Sequence, residues 1–137
     1  MVIRLAELAK DNLKREDIND YVLKFHEDFY NPIIDEVKYS TIRDEPKPID
    51  KGDYVFASFK PSNKAVLLRI IEHYAMKLKD IARKEVHNEG YLHKDILKHE
   101  LHHIYPELKD DDYVYIYLFE RILHKPLVDE FKKEKIQ

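Results

Sequence analysis

The chain of 137 residues contains no cysteine, which excludes disulfides, iron–sulfur clusters, thiolate zinc sites and cysteine nucleophiles together. Any metal must therefore be held by histidine and carboxylate. Glycine is almost as scarce: with only Gly52 and Gly90, neither a phosphate-cradling P-loop nor a dinucleotide-binding fingerprint can be built. Serine-nucleophile motifs are absent as well. No long apolar run occurs and the mean hydropathy is -0.61, so no membrane contact is expected. Met1-Val2-Ile3-Arg4 leads into a charged amphipathic stretch without an apolar core, so no secretory signal is expected and the expected setting is cytoplasmic.

What is present describes a globular protein. Hydrophobic residues make up 44% and charged residues 37% of the chain, far from the composition of a disordered segment. The length suits a single domain over residues 1–137, enough for one core and too short for two. Twenty-four basic and 27 acidic residues leave a net charge of -3, so no overall cationic field draws the chain to nucleic acid or anionic lipid. Scarce glycine with abundant Lys and Glu suits a heat-adapted protein.

Apolar spacing predicts an α+β fold that is predominantly α-helical, with five or six helices and a small two-stranded β element. A short helix is expected over Ile3–Lys10. A second is expected from Arg15 to Tyr30, where Ile18, Val22, Phe25 and Phe29 step by four, three and four, with His26 beside the stripe. Strands are expected at Val37–Ile42 and Tyr54–Phe59, both β-branched and aromatic, joined by a loop holding Pro46, Pro48 and Gly52. The longest helix is predicted from Lys64 to His87, capped by Ser62-Asn63, with a heptad-like seam at Leu67, Ile71, Tyr74, Leu78 and Ile81. Helices are expected again over Leu92–Tyr105, Tyr113–Leu123 and from Pro126 to Phe131, although Tyr113-Val114-Tyr115-Ile116-Tyr117 also has strong β propensity.

One stretch names a chemistry: Ile96-Leu97-Lys98-His99-Glu100-Leu101-His102-His103-Ile104-Tyr105 contains His-Glu-x-x-His. On a helix, His99 and His103 fall one turn apart on one side, where two imidazoles can converge on zinc while Glu100 addresses a metal-bound water. A helical wheel puts Leu97, Leu101 and Ile104 toward the core and Asp95, Lys98 and His102 toward solvent. His99 and His103 then fall on a semi-buried flank, with Glu100 between them and the core face. The alternative reading is that the two histidines are boundary residues paired with Asp95 or with the preceding helix.

With its uncharged neighbours Ile96, Leu97, Leu101, Ile104 and Tyr105, the stretch resembles the zincin metallopeptidases over about ten residues. The resemblance implies a zinc cofactor held by His99 and His103, Glu100 as general base, and a third ligand from a following helix. Glu120 is the first candidate for that ligand, with Glu107 and Asp111 as rivals. Two other classes compete. A non-enzymatic protein-binding or assembly module, with homodimerisation through the Tyr113–Leu123 element as its simplest form, follows from ten tyrosines and six phenylalanines, and is the favoured reading. A helix-turn-helix nucleic-acid binder would use Lys77, Lys79, Arg83 and Lys84 on phosphates, against the net charge and the acidic run Asp110-Asp111-Asp112.

Overall fold

The structure, a computed structural model, describes residues 14–122. Five strands form one mixed sheet: β1 (Ile18–His26), β2 (Ser40–Arg43), β3 (Tyr54–Lys60), β4 (Lys64–Lys77) and β5 (Tyr113–Ile122). Their spatial order is β1-β3-β4-β5-β2, with β1 parallel to β3 and the other neighbours antiparallel. Three α-helices lie among the described residues, α1 (Tyr30–Ile34), α2 (Arg83–Asn88) and α3 (Lys94–Ile104). The domain is thus mostly sheet, which overturns the predominantly helical fold expected from apolar spacing. The predicted segments Ile3–Lys10 and Pro126–Phe131 lie outside the described residues.

The reversals have one cause. In Lys64–Lys77 the heptad-like seam competes with the run Ala65-Val66-Leu67-Leu68, and Val66, Leu67 and Leu68 are all buried. Such a run suits a central strand covered on both faces better than a helix with one wet side. Ile71, a member of the expected seam, is 40% exposed. Ser62 and Asn63 cap no helix; they form the β3–β4 turn, with Asn63 at φ 62°, a left-handed conformation that asparagine tolerates. Ile18–His26 is likewise a strand paired in parallel with β3, and the helix α1 begins only at Tyr30, where the expected second helix ends.

In β5 the β propensity prevails over the acidic cap. Tyr113, Tyr115 and Tyr117 then share one face of the strand, and burial deepens along it: Tyr113 is 54% exposed, Tyr115 half-buried and Tyr117 buried. The Tyr117 hydroxyl accepts a hydrogen bond of 2.7 Å from the backbone N–H of Lys47. The expected strand Tyr54–Phe59 and the expected helix Leu92–Tyr105 are both present, as β3 and α3.

Two apolar groups hold the architecture. The concave side of the sheet packs Leu23, Phe25, Val55, Phe59, Leu68 and Phe119 together with Ile33 of α1. On the other side of β5 and β2, Val114, Ile116 and Ile42 meet Val86 of α2 and Leu97 and Leu101 of α3. The sheet curls far enough for its two edges to face each other: Nη2 of Arg43 on β2 donates to the carbonyl of Lys24 on β1 at 2.9 Å. The result is an incomplete barrel with a seam between β1 and β2.

The two sides of α3 should therefore respond differently to truncation. Leu101→Ala, which opens a cavity beneath the helix, should cost about 2–5 kcal/mol, whereas His103→Ala on its exposed side should stay within about 0.5 kcal/mol. Urea denaturation of both variants checks this; equal losses would contradict the packing.

Candidate functional site

The seam between β1 and β2 is where the fold gathers polar groups. After α1 the chain turns through Glu36 at φ 58°, and the N–H groups of Val37 and Lys38 both donate to the Pro32 carbonyl, at 2.9 and 3.0 Å. This turn aims Lys38 inward just before β2. From the other direction α2 ends at Glu89, tied in place by the Tyr39 N–H donating to Asn88 O at 2.9 Å. Gly90 follows at φ +88°, and a Cβ there would stand 3.3 Å from the Val37 carbonyl. Glycine is required for both reasons, and it allows Glu89 to lie directly against Lys38.

Lys38 and Glu89 form an ion pair, Nζ to Oε1 at 2.9 Å, with each side chain only 5% exposed. The second oxygen of Glu89 accepts from the Ser40 hydroxyl on β2, and the Lys38 ammonium sits 5.1 Å from the centre of the Phe29 ring. Thr41 is the next residue on β2 and is also buried. Its hydroxyl oxygen accepts a 2.8 Å hydrogen bond from Nε of Arg43, so its own hydrogen remains available for donation. Arg43, besides spanning the seam, lies 4.8 Å over the Phe25 ring.

These residues line a cleft of about 210 Å³, closed on the far side by Tyr91, Leu97, Glu100, Leu101, Ile104 and Tyr105. Burial pushes the Tyr91 hydroxyl up to about 12, helped by the carboxylates of Glu100 and Glu89. Burial likewise raises Tyr105, against the lowering effect of nearby Arg43. Both tyrosines are neutral hydrogen-bonding groups at physiological pH.

The predicted site residues are only partly brought together. Glu100 lines the cleft and is half-buried, but His99 and His103 are exposed on α3 and do not form the semi-buried flank that the helical wheel placed there. Helix α3 packs through Leu97 and Leu101, which turns both histidines toward solvent; Ile104, expected in the core, is 47% exposed. Glu120 is half-buried on strand β5 and does not sit on a helix following the motif. Of its rivals, Glu107 is exposed and Asp111 accepts an ion pair from Lys79 at 2.9 Å. Among the described residues no group of three or more histidines and carboxylates could hold a metal, so the zinc reading of the motif falls.

The basic residues named for nucleic acid are scattered: Lys77 ends β4, Lys79 lies in the 3-10 helix Leu78–Asp80, and Arg83 and Lys84 are exposed on short α2. The three-helix unit that would present them does not form. Lys38, Thr41, Arg43 and Glu89 were not singled out from sequence. Lys38 and Thr41 lie inside a stretch that reads as an ordinary strand, and Glu89 is 51 residues from Lys38. The glycine after Glu89 is the one local signal that this position is special.

The Lys38–Glu89 pair should behave as a unit. Lys38→Met strands a buried carboxylate and should cost about 3–5 kcal/mol. The double variant Lys38→Met/Glu89→Gln should cost clearly less than the sum of the two single changes. A denaturation double-mutant cycle measures the coupling; additive losses would contradict a mutually dependent pair.

No protein-family model and no curated relative matches this sequence. Solved structures do match in fold. A protein of Enterococcus faecalis V583 described under the family model DUF984 aligns with a TM-score of 0.60 at 16% identity, covering 84% of this chain and 86% of that one. An ASCH domain from Lactobacillus crispatus JV V101 aligns with a TM-score of 0.57 at 13% identity, over 86% and 91% of the two chains. The ASCH protein of Zymomonas mobilis aligns with a TM-score of 0.53 at 13% identity, over 79% and 76%. These likenesses replace the resemblance to zincins: the fold of this chain is similar to that of ASCH and DUF984 domains.

Proposed function

We propose that the cleft is the catalytic site of a small-molecule hydrolase acting on acyl groups held in amide or ester linkage, with Thr41 as nucleophile and the Lys38–Glu89 pair as its proton relay. The observation that carries this reading is the buried ion pair on the wall of a cleft that also holds a hydroxyl side chain. As a purely structural device such a pair is poor value, because desolvating two ions offsets most of their attraction and apolar side chains of similar volume would serve as well. At a cavity wall beside a hydroxyl, the same pair has a use: it can move a proton without changing the net charge of the site.

The steps balance within these residues. Lys38 passes one proton to Glu89 and, as an amine, takes the proton of Thr41 as Oγ1 attacks the acyl carbon. The tetrahedral oxyanion that forms faces the cationic side of the cleft, where Arg43 stands. As it collapses, Glu89 returns its proton to the departing nitrogen or oxygen, leaving an acyl-Thr41 ester and the original Lys38–Glu89 charge state. Water then repeats the sequence in place of the threonine, releasing the acid and restoring the hydroxyl. The cleft volume limits the substrate to a small molecule, and Phe25, Tyr91 and Tyr105 suit a flat, partly apolar one.

Steady-state hydrolysis of p-nitrophenyl acetate and 4-nitroacetanilide tests the reading. Thr41→Val should lower kcat/KM at least about 100-fold, whereas Thr41→Ser should retain most of it, with both variants folded by circular dichroism. Hydrolysis that survives in Thr41→Val, or that never exceeds the buffer rate in the unaltered protein, would overturn it.

A further inference from the structure

The charged groups of the cleft differ in how well they are partnered. Lys38 and Glu89 neutralise each other. Arg43 is occupied by Thr41, by the Lys24 carbonyl and by the Phe25 ring. Glu100 is different: half-buried on α3, it lines the same cleft yet makes no hydrogen bond and no ion pair among the described residues. The group nearest to it in electrostatic effect is the Tyr91 hydroxyl, which the Glu100 carboxylate helps to keep protonated. The Glu100 oxygens are not among the buried unpartnered atoms, so water reaches them in the open cleft. A ligand N–H aimed at the same carboxylate would replace that water with a charge-assisted hydrogen bond.

The cleft is therefore polarised. On the β1 and β2 side stand the donors: the Lys38 ammonium, the Thr41 hydroxyl and the Arg43 guanidinium. On the α3 side stands one carboxylate, beside the Tyr91 and Tyr105 hydroxyls, and α3 is a fixed platform because Leu97 and Leu101 anchor it on either side of Glu100. We infer that Glu100 is the specificity-determining residue of this cleft, accepting a hydrogen bond from an N–H of the ligand and so selecting molecules that carry a carbonyl next to an N–H over isosteres that lack the hydrogen. The preferred ligand class is thus a secondary or primary amide, or a heterocycle with the same donor–acceptor edge, bound more tightly than an ester or a fully substituted amide. This deepens the reading of the cleft as an acyl-hydrolase site and rests on it for the placing of the carbonyl against Lys38 and Arg43. The hydrogen bond to Glu100 is a matter of binding and does not require turnover.

Three neutral probes of nearly equal size separate the donor from all else: benzamide, N,N-dimethylbenzamide and methyl benzoate. Amide-resolved NMR titrations would be made on the unaltered protein with benzamide, and on Thr41→Val with all three probes, so that turnover of the ester cannot intervene. Shifts should centre on Tyr91, Leu97 and Leu101. Benzamide should bind at least about tenfold more tightly than the other two, the size expected of one hydrogen bond to a charged acceptor in a half-buried site.

Glu100→Leu should abolish that preference, and Glu100→Gln, which keeps a neutral acceptor, should retain part of it. Equal binding of the three probes, a preference that survives in Glu100→Leu, or no shifts at cleft residues with millimolar benzamide would each overturn the inference. Failure of the catalytic reading would look different: Thr41→Val would still hydrolyse acyl substrates, while the N–H preference and its loss in Glu100→Leu stood unchanged.

Discussion

A lysine and a glutamate taken out of water must meet each other or one of them must give up its charge, and in this protein Lys38 and Glu89 meet at 2.9 Å with almost no solvent around either. Much of the local architecture serves that contact. The left-handed turn at Glu36 delivers the lysine, and Gly90 lets the end of α2 press against Val37 at a φ of +88°, where a side chain would be strained and would crowd the Val37 carbonyl. Ser40 occupies the remaining carboxylate oxygen, so that β2 and α2 are locked to the segment between α1 and β2. Breaking one partner leaves a buried charge without compensation, a penalty comparable to a good part of the stability of a domain this size.

The position of the pair follows from the sheet. Five strands curl until β1 and β2, the two edge strands, face each other without pairing. Arg43 crosses the gap in place of a strand, bonded to Thr41 on its own strand and to Lys24 on the other. The gap is thereby kept open as a cleft whose one side is cationic and hydroxyl-bearing, while α3 closes the other with aliphatic and tyrosine side chains and a single carboxylate. A rigid, apolar-walled cleft that concentrates a few polar groups is the usual form of a small-molecule site.

How much of this was legible in the sequence depended on whether the relevant contact is local. Tyr54–Phe59 reads as a strand from its own residues, and Leu92–Tyr105 reads as a helix because Leu97 and Leu101 repeat at helical spacing and Pro106 stops it. Lys64–Lys77 misleads because its aliphatic run satisfies a helical stripe as easily as a strand buried on both faces, and only the neighbours β3 and β5 decide. The histidine motif misleads in another way. Eight histidines in a chain rich in glutamate make such a spacing easy to meet by coincidence, and the helix face that packs leaves His99 and His103 in solvent. Of the motif's two histidines and its glutamate, Glu100 alone enters the cleft. Lys38 and Glu89 carry no sequence signal of their association, since their partnership is made entirely by the topology.

The central claim, that the hydroxyl beside the buried pair is a nucleophile, is most directly tested by looking for the covalent intermediate. After rapid acid quenching of a reaction with p-nitrophenyl acetate, intact-mass and peptide-mapping spectrometry should find one acetyl group per chain, located on Thr41 and absent from both Thr41→Val and Lys38→Met. An acetyl group found instead on lysine side chains at the surface, with Thr41 unmodified in a protein that turns the ester over, would contradict the account.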